Sequence, residues 1–264
     1  MSGSRSFCNN RSSQNKKGED MSELIRINKY LSEAGVCSRR EADRHIEAGR
    51  ITINGRVAVM GDKVSPGDLV RYGKKLVSKE EKTILIAVNK PCGIVCTAEK
   101  QEKNNIVDFV HYPQRIYPVG RLDKNSHGLI LMTNQGELVN KIMRSGNFHE
   151  KEYIVKVNRE ISEEFLQGMA DGVYLEELGA VTRPCQIEKT GRRVFRIVLT
   201  QGMNRQIRRM CKVFHYRVMD LKRVRIMNIR LGDLKEGAYR EITTEEWDEL
   251  KEQIKDSSSE TIRW

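Results

Sequence analysis

The chain has 264 residues, with 47 Lys and Arg against 36 Asp and Glu and a formal net charge of +11; a surplus of this size points to a polyanionic partner. Hydrophobic residues make up 38%, enough for a packed core, and the length suits one large domain with a small one beside it. No apolar run approaches the roughly 20 residues that a membrane-spanning helix needs, so no membrane partner is expected.

The cysteines and histidines narrow the chemistry. Cys8, Cys37, Cys92, Cys96, Cys185 and Cys211 are scattered. None forms a Cys-x-x-Cys pair, and no His cluster completes a zinc site. They read as reduced thiols of a cytoplasmic protein, with Cys211 in the core. There is no His-Glu-x-x-His, no Gly-x-x-x-x-Gly-Lys loop and no Gly-x-Gly-x-x-Gly. The expected chemistry therefore uses no metal, nucleotide or redox cofactor.

Residues 1–22 are rich in Ser, Asn, Lys and Arg without an apolar stretch, which reads as a disordered basic tail and not a secretory signal. Residues 23–80 read as a small α+β unit. Leu24, Ile27, Tyr30, Leu31 and Ala34 recur at helical spacing up to Gly35. Ser38-Arg39-Arg40-Glu41 has the form of a capping box opening a second helix that stops at Gly49. Ile51 and Ile53 alternate into Asn54-Gly55, a hairpin turn, and Val57 and Val59 alternate back. Lys29, Arg39, Arg40 and Arg44 crowd the two helices. Arg39 and Arg40 occupy a first turn, where the helix dipole disfavours cations unless an anion compensates, so they are candidates for phosphate contact. The charged run Lys79 to Lys82 marks the boundary.

From residue 81 to 255 strands and helices interleave, the pattern of an α+β domain. Ile84 to Val88 is an apolar central strand ended by Asn89-Lys90-Pro91; Lys90 reads equally as a contact to the polyanionic partner at a site's rim and as a solvated lysine. Gly120-Arg121-Leu122-Asp123 precedes a polar turn and the short apolar strand Leu129 to Met132. That arrangement presents Asp123 at the lip of a sheet beside Arg121. Asn134 opens a helix with Glu137 three residues on. Tyr153, Val155 and Val157 share one strand face. Asn204 caps a helix whose apolar face is Ile207, Met210, Cys211 and Phe214 and whose basic face is Arg205, Arg208, Arg209 and Lys212. Four neighbouring cations repel one another, so that face calls for outside anions or an internal carboxylate. Residues 256–264 read as a frayed tail.

Gly-Arg-Leu-Asp at 120–123 with Gly-Leu-Ile-Leu-Met-Thr-Asn at 128–134, Asn89-Lys90-Pro91 upstream, Lys151-Glu152-Tyr153 downstream and Asn204-Arg205-Gln206-Ile207-Arg208-Arg209-Met210 beyond resemble the motifs of RsuA/RluA-type RNA pseudouridine synthases, in the same order. Residues 26–70 resemble an S4-type RNA-binding module. The resemblance spans roughly residues 25–250. Residues 147–153 and 204–211 are most similar to the branch acting on large-subunit ribosomal RNA; Asn204 stands where the family often carries His.

The resemblance implies a mixed, largely antiparallel sheet flanked by helices, and isomerisation of uridine to pseudouridine without a cofactor. It assigns Asp123 as the reacting carboxylate, either nucleophile or proton acceptor. Tyr153 would lie against the uracil, and Arg208 would pair with Asp123 and keep it ionised. Arg205 and Arg209 are left for phosphates, and Arg121 is a candidate for bracing the gap left by a flipped base. The expected partner of a monomeric enzyme is ribosomal RNA, with transfer RNA open as a second substrate. A non-catalytic S4-bearing assembly factor explains the charge equally well, but not a carboxylate at the mouth of a basic domain. A metal nuclease using Asp123 with Asp108 or Glu137 lacks any sign of a second carboxylate beside Asp123.

Overall fold

The computed structural model describes residues 24–78, 82–99 and 101–258. The expected basic tail at 1–22 lies outside them, as does most of the charged run at 79–82. The chain divides into two compact units between Ser78 and Lys79.

In the first unit, helices Ile27–Glu33 and Arg39–Glu47 pack on a small sheet through Ile27, Leu31, Ala42, Ile46, Ile51, Ile53 and Val70. The capping box is formed on both sides: Glu41 N donates to Ser38 Oγ and Ser38 N donates to the Glu41 carboxylate. Asn54 and Gly55 both take positive φ, at 51° and 84°, as a tight hairpin turn requires. The return strand departs from expectation. Val57 pairs across from Thr52 and Val59 follows the strand's end. Cross-strand partners share a face, so Val57 sides with outward Thr52 and is exposed, as is Val59, while Ala58 is buried.

The second unit is built on a nine-stranded sheet. Its main path runs Gln186–Gly191, Val194–Leu199, Lys151–Val157, Val218–Ile226, His127–Thr133, Leu85–Lys90 and Tyr239–Glu241. Tyr117–Val119 pairs alongside His127–Thr133, and Ile229–Arg230 alongside Val218–Ile226. Every pairing is antiparallel except one, between Val218–Ile226 and His127–Thr133. This is the mixed α+β architecture the motifs imply. Leu85–Lys90 is buried along its whole length, as a strand covered on both faces should be.

Helix starts shift where side chains find other work. Asn134 does not cap the following helix, which runs Gly136–Met143. Its amide instead takes Ile84 N and gives to Lys82 O, clamping the entry to the central strand. Asn204 likewise fails to cap. The N-cap is Arg205 in the left-handed region, and the helix is Gln206–Val213. Its apolar face is as spaced, with Ile207, Met210 and Cys211 buried. The final helix, Thr244–Gln253, carries a second full capping box, Thr243 with Glu246. Of the tail expected from 256, residues 256–258 are described, and there Ser257 bonds His149 and Ser258 bonds Asn147.

The single parallel pairing depends on a glycine. Gly128 sits at φ 97°, and a Cβ there would lie 2.3 Å from Arg223 O and 2.9 Å from Arg223 N. Those atoms belong to backbone, so they cannot swing aside. Gly128→Ala should therefore destabilise the fold by about 2–4 kcal/mol, overpacking and left-handed strain together. Thermal unfolding measures this; an unchanged Tm would mean that the two strands separate freely there.

Candidate active site and RNA-binding residues

Asp123 heads a turn whose four carbonyls are all held. Ser126 N donates to Asp123 O at 3.0 Å and Gly93 N to Lys124 O at 2.8 Å. Arg208 Nη2 donates to Asn125 O at 2.8 Å and to Ser126 Oγ at 3.1 Å. Lys90 Nζ donates to Ser126 O at 2.8 Å and to Pro91 O at 2.8 Å. The carboxylate itself is 32% exposed at the mouth of a cavity of about 400 Å³.

Arg121, Asp123, Tyr153, Asn204, Arg205 and Arg208 all border that cavity. Five separate segments of the sequence converge to build it: 120–126, Met143, 151–153, 199–208 and 221–223. Arg208 Nε lies 3.7 Å from Asp123 Oδ2 and is buried without a hydrogen-bond partner among the described residues. Arg205 Nη1 reaches the same oxygen at 3.8 Å from a far more exposed position. The expected division, one arginine for the carboxylate and its neighbour for phosphate, thus gives way to two guanidiniums flanking one carboxylate. Arg205 takes the left-handed region, at φ 50°, immediately before the helix. Arg208 is the fixed partner, since Asn125 O and Ser126 Oγ of the turn hold it.

Two expectations fail on position. Lys90 is fully buried, neither at a rim nor in solvent. Burial pulls its ammonium below the ordinary value, with Arg223 adding to this and Asp123 opposing it. It braces the turn from inside. Arg209 turns away from the cavity: it pairs with Glu177 and bonds Asn204 O and Oδ1. Lys212 pairs with Glu177 too, at 2.8 Å. An internal carboxylate, distant in sequence, meets the repulsion on the basic face.

Lys151, Arg223 and Gln201 also line the cavity. Lys151 lies two residues before Tyr153 on the same strand, so the two-residue period places it on the Tyr153 face. Arg223 is the cross-strand partner of Tyr153. The next partner pair is Glu152 with Arg225, so Val224 is skipped by a β-bulge. That bulge sends Arg223 into the cavity and Arg225 to the far side, where its Nε meets Glu152 at 2.7 Å. Burial pushes the Glu152 carboxyl up, but hydrogen bonds from Arg196 and Arg225 outweigh it and hold the group below its usual value.

Residues 84–213 match the family of RNA pseudouridylate synthases, and residues 25–70 match the S4 domain. The dual-specificity RNA pseudouridine synthase RluF of Escherichia coli is 53% identical over 238 residues, covering 89% of this chain and 81% of that protein. The chain belongs to the RNA pseudouridine synthases. Ribosomal large subunit pseudouridine synthase B of Bacillus subtilis is 34% identical over 237 residues, covering 86% of this chain and 96% of that one. Among solved structures, a crystal structure of a pseudouridylate synthase aligns with a TM-score of 0.64 at 27% identity, over 86% of this chain and 99% of that one. In this synthase, Asp123 is the sole carboxylate among the described residues lining the cavity.

In the S4 unit, Arg39, Arg40 and Arg44 are exposed on the second helix. Lys29 is less so and pairs with Glu33 at 3.6 Å.

Two measurements follow from this placement. Arg208→Lys keeps the charge but loses the fork that bonds the turn while facing Asp123; turnover should fall about a hundredfold, as misplacement near 1 Å does, with little change in RNA affinity. Arg205→Lys should leave turnover nearly intact. Equal losses in the two variants would mean that alignment is not the task of Arg208. Arg39→Ala with Arg40→Ala should lower the slope of log K against log salt by up to roughly 0.7–0.9 per lost phosphate contact. A salt titration reads this, and an unchanged slope would leave both arginines as solvated surface.

Proposed function

We propose that this synthase acts on a uridine in structured large-subunit ribosomal RNA, with Asp123 as the reacting carboxylate. The observation that supports this most directly is the site's electrostatics: one carboxylate faces two guanidiniums in a cavity otherwise lined by cations, amides and apolar groups. Such surroundings attract a nucleic-acid backbone. Tyr153 is half-buried and packs where two cores meet, leaving part of its surface to the cavity. A uracil turned out of its helix would lie against that ring. Arg121 is exposed at the rim and is positioned to brace the gap in the RNA.

Asp123 acts either as a nucleophile or by taking a ribose proton, and both routes need it ionised and aimed. The four held carbonyls of its turn supply the aim before substrate arrives, so little reorganisation remains for the reaction step. Arg39, Arg40 and Arg44 of the S4 unit would grip phosphates away from the reacting base, with no sequence readout of their own. Lys29 and Arg209, both in ion pairs, are the weaker candidates for this.

The ribosomal substrate rests on the relatives, one of which is named for the large subunit. The Escherichia coli relative is named for a dual specificity, which supports a second RNA here as well, and transfer RNA is the candidate. The protein would work as a cytoplasmic monomer. The alternative of a non-catalytic assembly factor finds no support in a carboxylate held so rigidly at the cavity mouth.

Asp123→Asn should abolish pseudouridine formation and leave RNA affinity nearly unchanged, since the carboxylate's task is chemical. Pseudouridine mapping of ribosomal and transfer RNA from cells carrying this variant names the substrate by the position that is lost. Near-normal turnover by the variant would overturn the assignment of Asp123.

A further inference from the structure

Three cations lie beneath the cavity. Lys90, Lys151 and Arg223 are 0%, 2% and 1% exposed. Their hydrogen bonds go to neutral carbonyls. Lys151 Nζ donates to His149 O at 2.8 Å, Arg223 Nε to Leu129 O at 2.7 Å, and Lys90 Nζ to the two carbonyls already described. Arg223 Nη2 is buried with no hydrogen-bond partner among the described residues. The one carboxylate in the lining, Asp123, is already flanked by Arg205 and Arg208.

Buried positive charge without counter-charge is costly. Its effect is visible at Lys151, where burial first, then Arg223 and Arg183, pull the ammonium down to about 8. A fold that keeps such a cluster facing a cavity gains from it when an anion forms there. Bracing the turn accounts for Lys90 alone. Lys151 shares a strand face with Tyr153, and Arg223 is paired across from it, so both border the place where the base would lie.

We propose that Lys151 and Arg223 form an anion hole for the detached base, stabilising the negative charge that uracil carries while it is free of the ribose. This rests on the reading of Asp123 as the group that acts on the bound uridine. The C1′–N1 bond breaks with its electron pair passing to the base, which then holds one negative charge over N1, O2 and O4. Asp123 meets the deficit on the sugar by bonding to it or by taking a proton from it, and the base is anionic on either route. The C1′–C5 bond then forms as the bond from Asp123 to the sugar breaks on the first route, or as Asp123 returns its proton to the sugar on the second; the C5 proton leaves and N1 gains a proton, so the product is an isomer and no co-reactant is consumed. Donors fixed where charge develops act strongly in a cavity that excludes water.

The test is single-turnover kinetics at neutral pH on two RNAs, one with uridine and one with 5-fluorouridine at the target, reading loss of the starting nucleoside. Fluorine makes the base a better leaving anion, so the 5-fluorouridine RNA needs the anion hole less. Lys151→Met should lose about a hundredfold on uridine RNA, the size expected for removing one such donor, and far less on 5-fluorouridine RNA. RNA affinity should hold, and Tm should not fall, because an uncompensated buried charge has been removed. Equal losses on the two RNAs, or a loss confined to affinity, as a phosphate site would give, overturn the proposal. Should Lys151→Met fail to fold, the wild-type enzyme still decides: its rate constant on uridine RNA should fall as pH rises through about 8, because only the ammonium form stabilises an anion, and a flat profile overturns the proposal. Wild-type turnover and Asp123→Asn run alongside separate the two readings. An active Asp123→Asn enzyme sinks the site assignment, whereas a normal wild type with equal Lys151→Met losses sinks the anion hole alone.

Discussion

The site depends on a turn of four residues that has no freedom left. Each carbonyl from Asp123 to Ser126 accepts a hydrogen bond, and the donors come from four places: the turn itself, the loop after the central strand, the end of that strand, and the arginine-bearing helix. A carboxylate on such a turn is aimed by backbone, and the entropy of ordering it is spent during folding. Gly128 serves the same end. By admitting the backbone of Arg223 at van der Waals range, it brings the turn and the bulged strand to one cavity.

Charge has two different uses in the two units. In the S4 unit Arg39, Arg40 and Arg44 of the second helix are exposed, where salt screens a surface charge until a phosphate is close. In the synthase unit Lys90, Lys151 and Arg223 are buried under the cavity, where the same sign of charge acts at short range and low dielectric. A third group has a structural use: Arg209 and Lys212 are held by Glu177, and Arg196 and Arg225 by Glu152. The net charge of +11 therefore overstates the surface offered to RNA.

Local signals in the chain were enough for the capped S4 helix, the Asn54-Gly55 hairpin and the apolar face of the 206–213 helix. Each of these rests on short-range periodicity or turn chemistry, which neighbours in sequence settle between themselves. Arg121, Asp123, Tyr153, Asn204, Arg205 and Arg208, to which the family motifs pointed, all line the one cavity. What only the tertiary structure decided depends on partners far apart in sequence. Glu177 takes Arg209 out of the cavity, and Asn134 leaves its cap for Ile84. Lys90 disappears inside the sheet, where the distant Ser126 O joins the adjacent Pro91 O as its acceptor. Arg223 enters the site because a bulge opposite Tyr153 changes which face of the strand it occupies. Sequence spacing carries no record of a bulge or of a distant counter-charge, since both arise only when strands pair and the chain closes on itself.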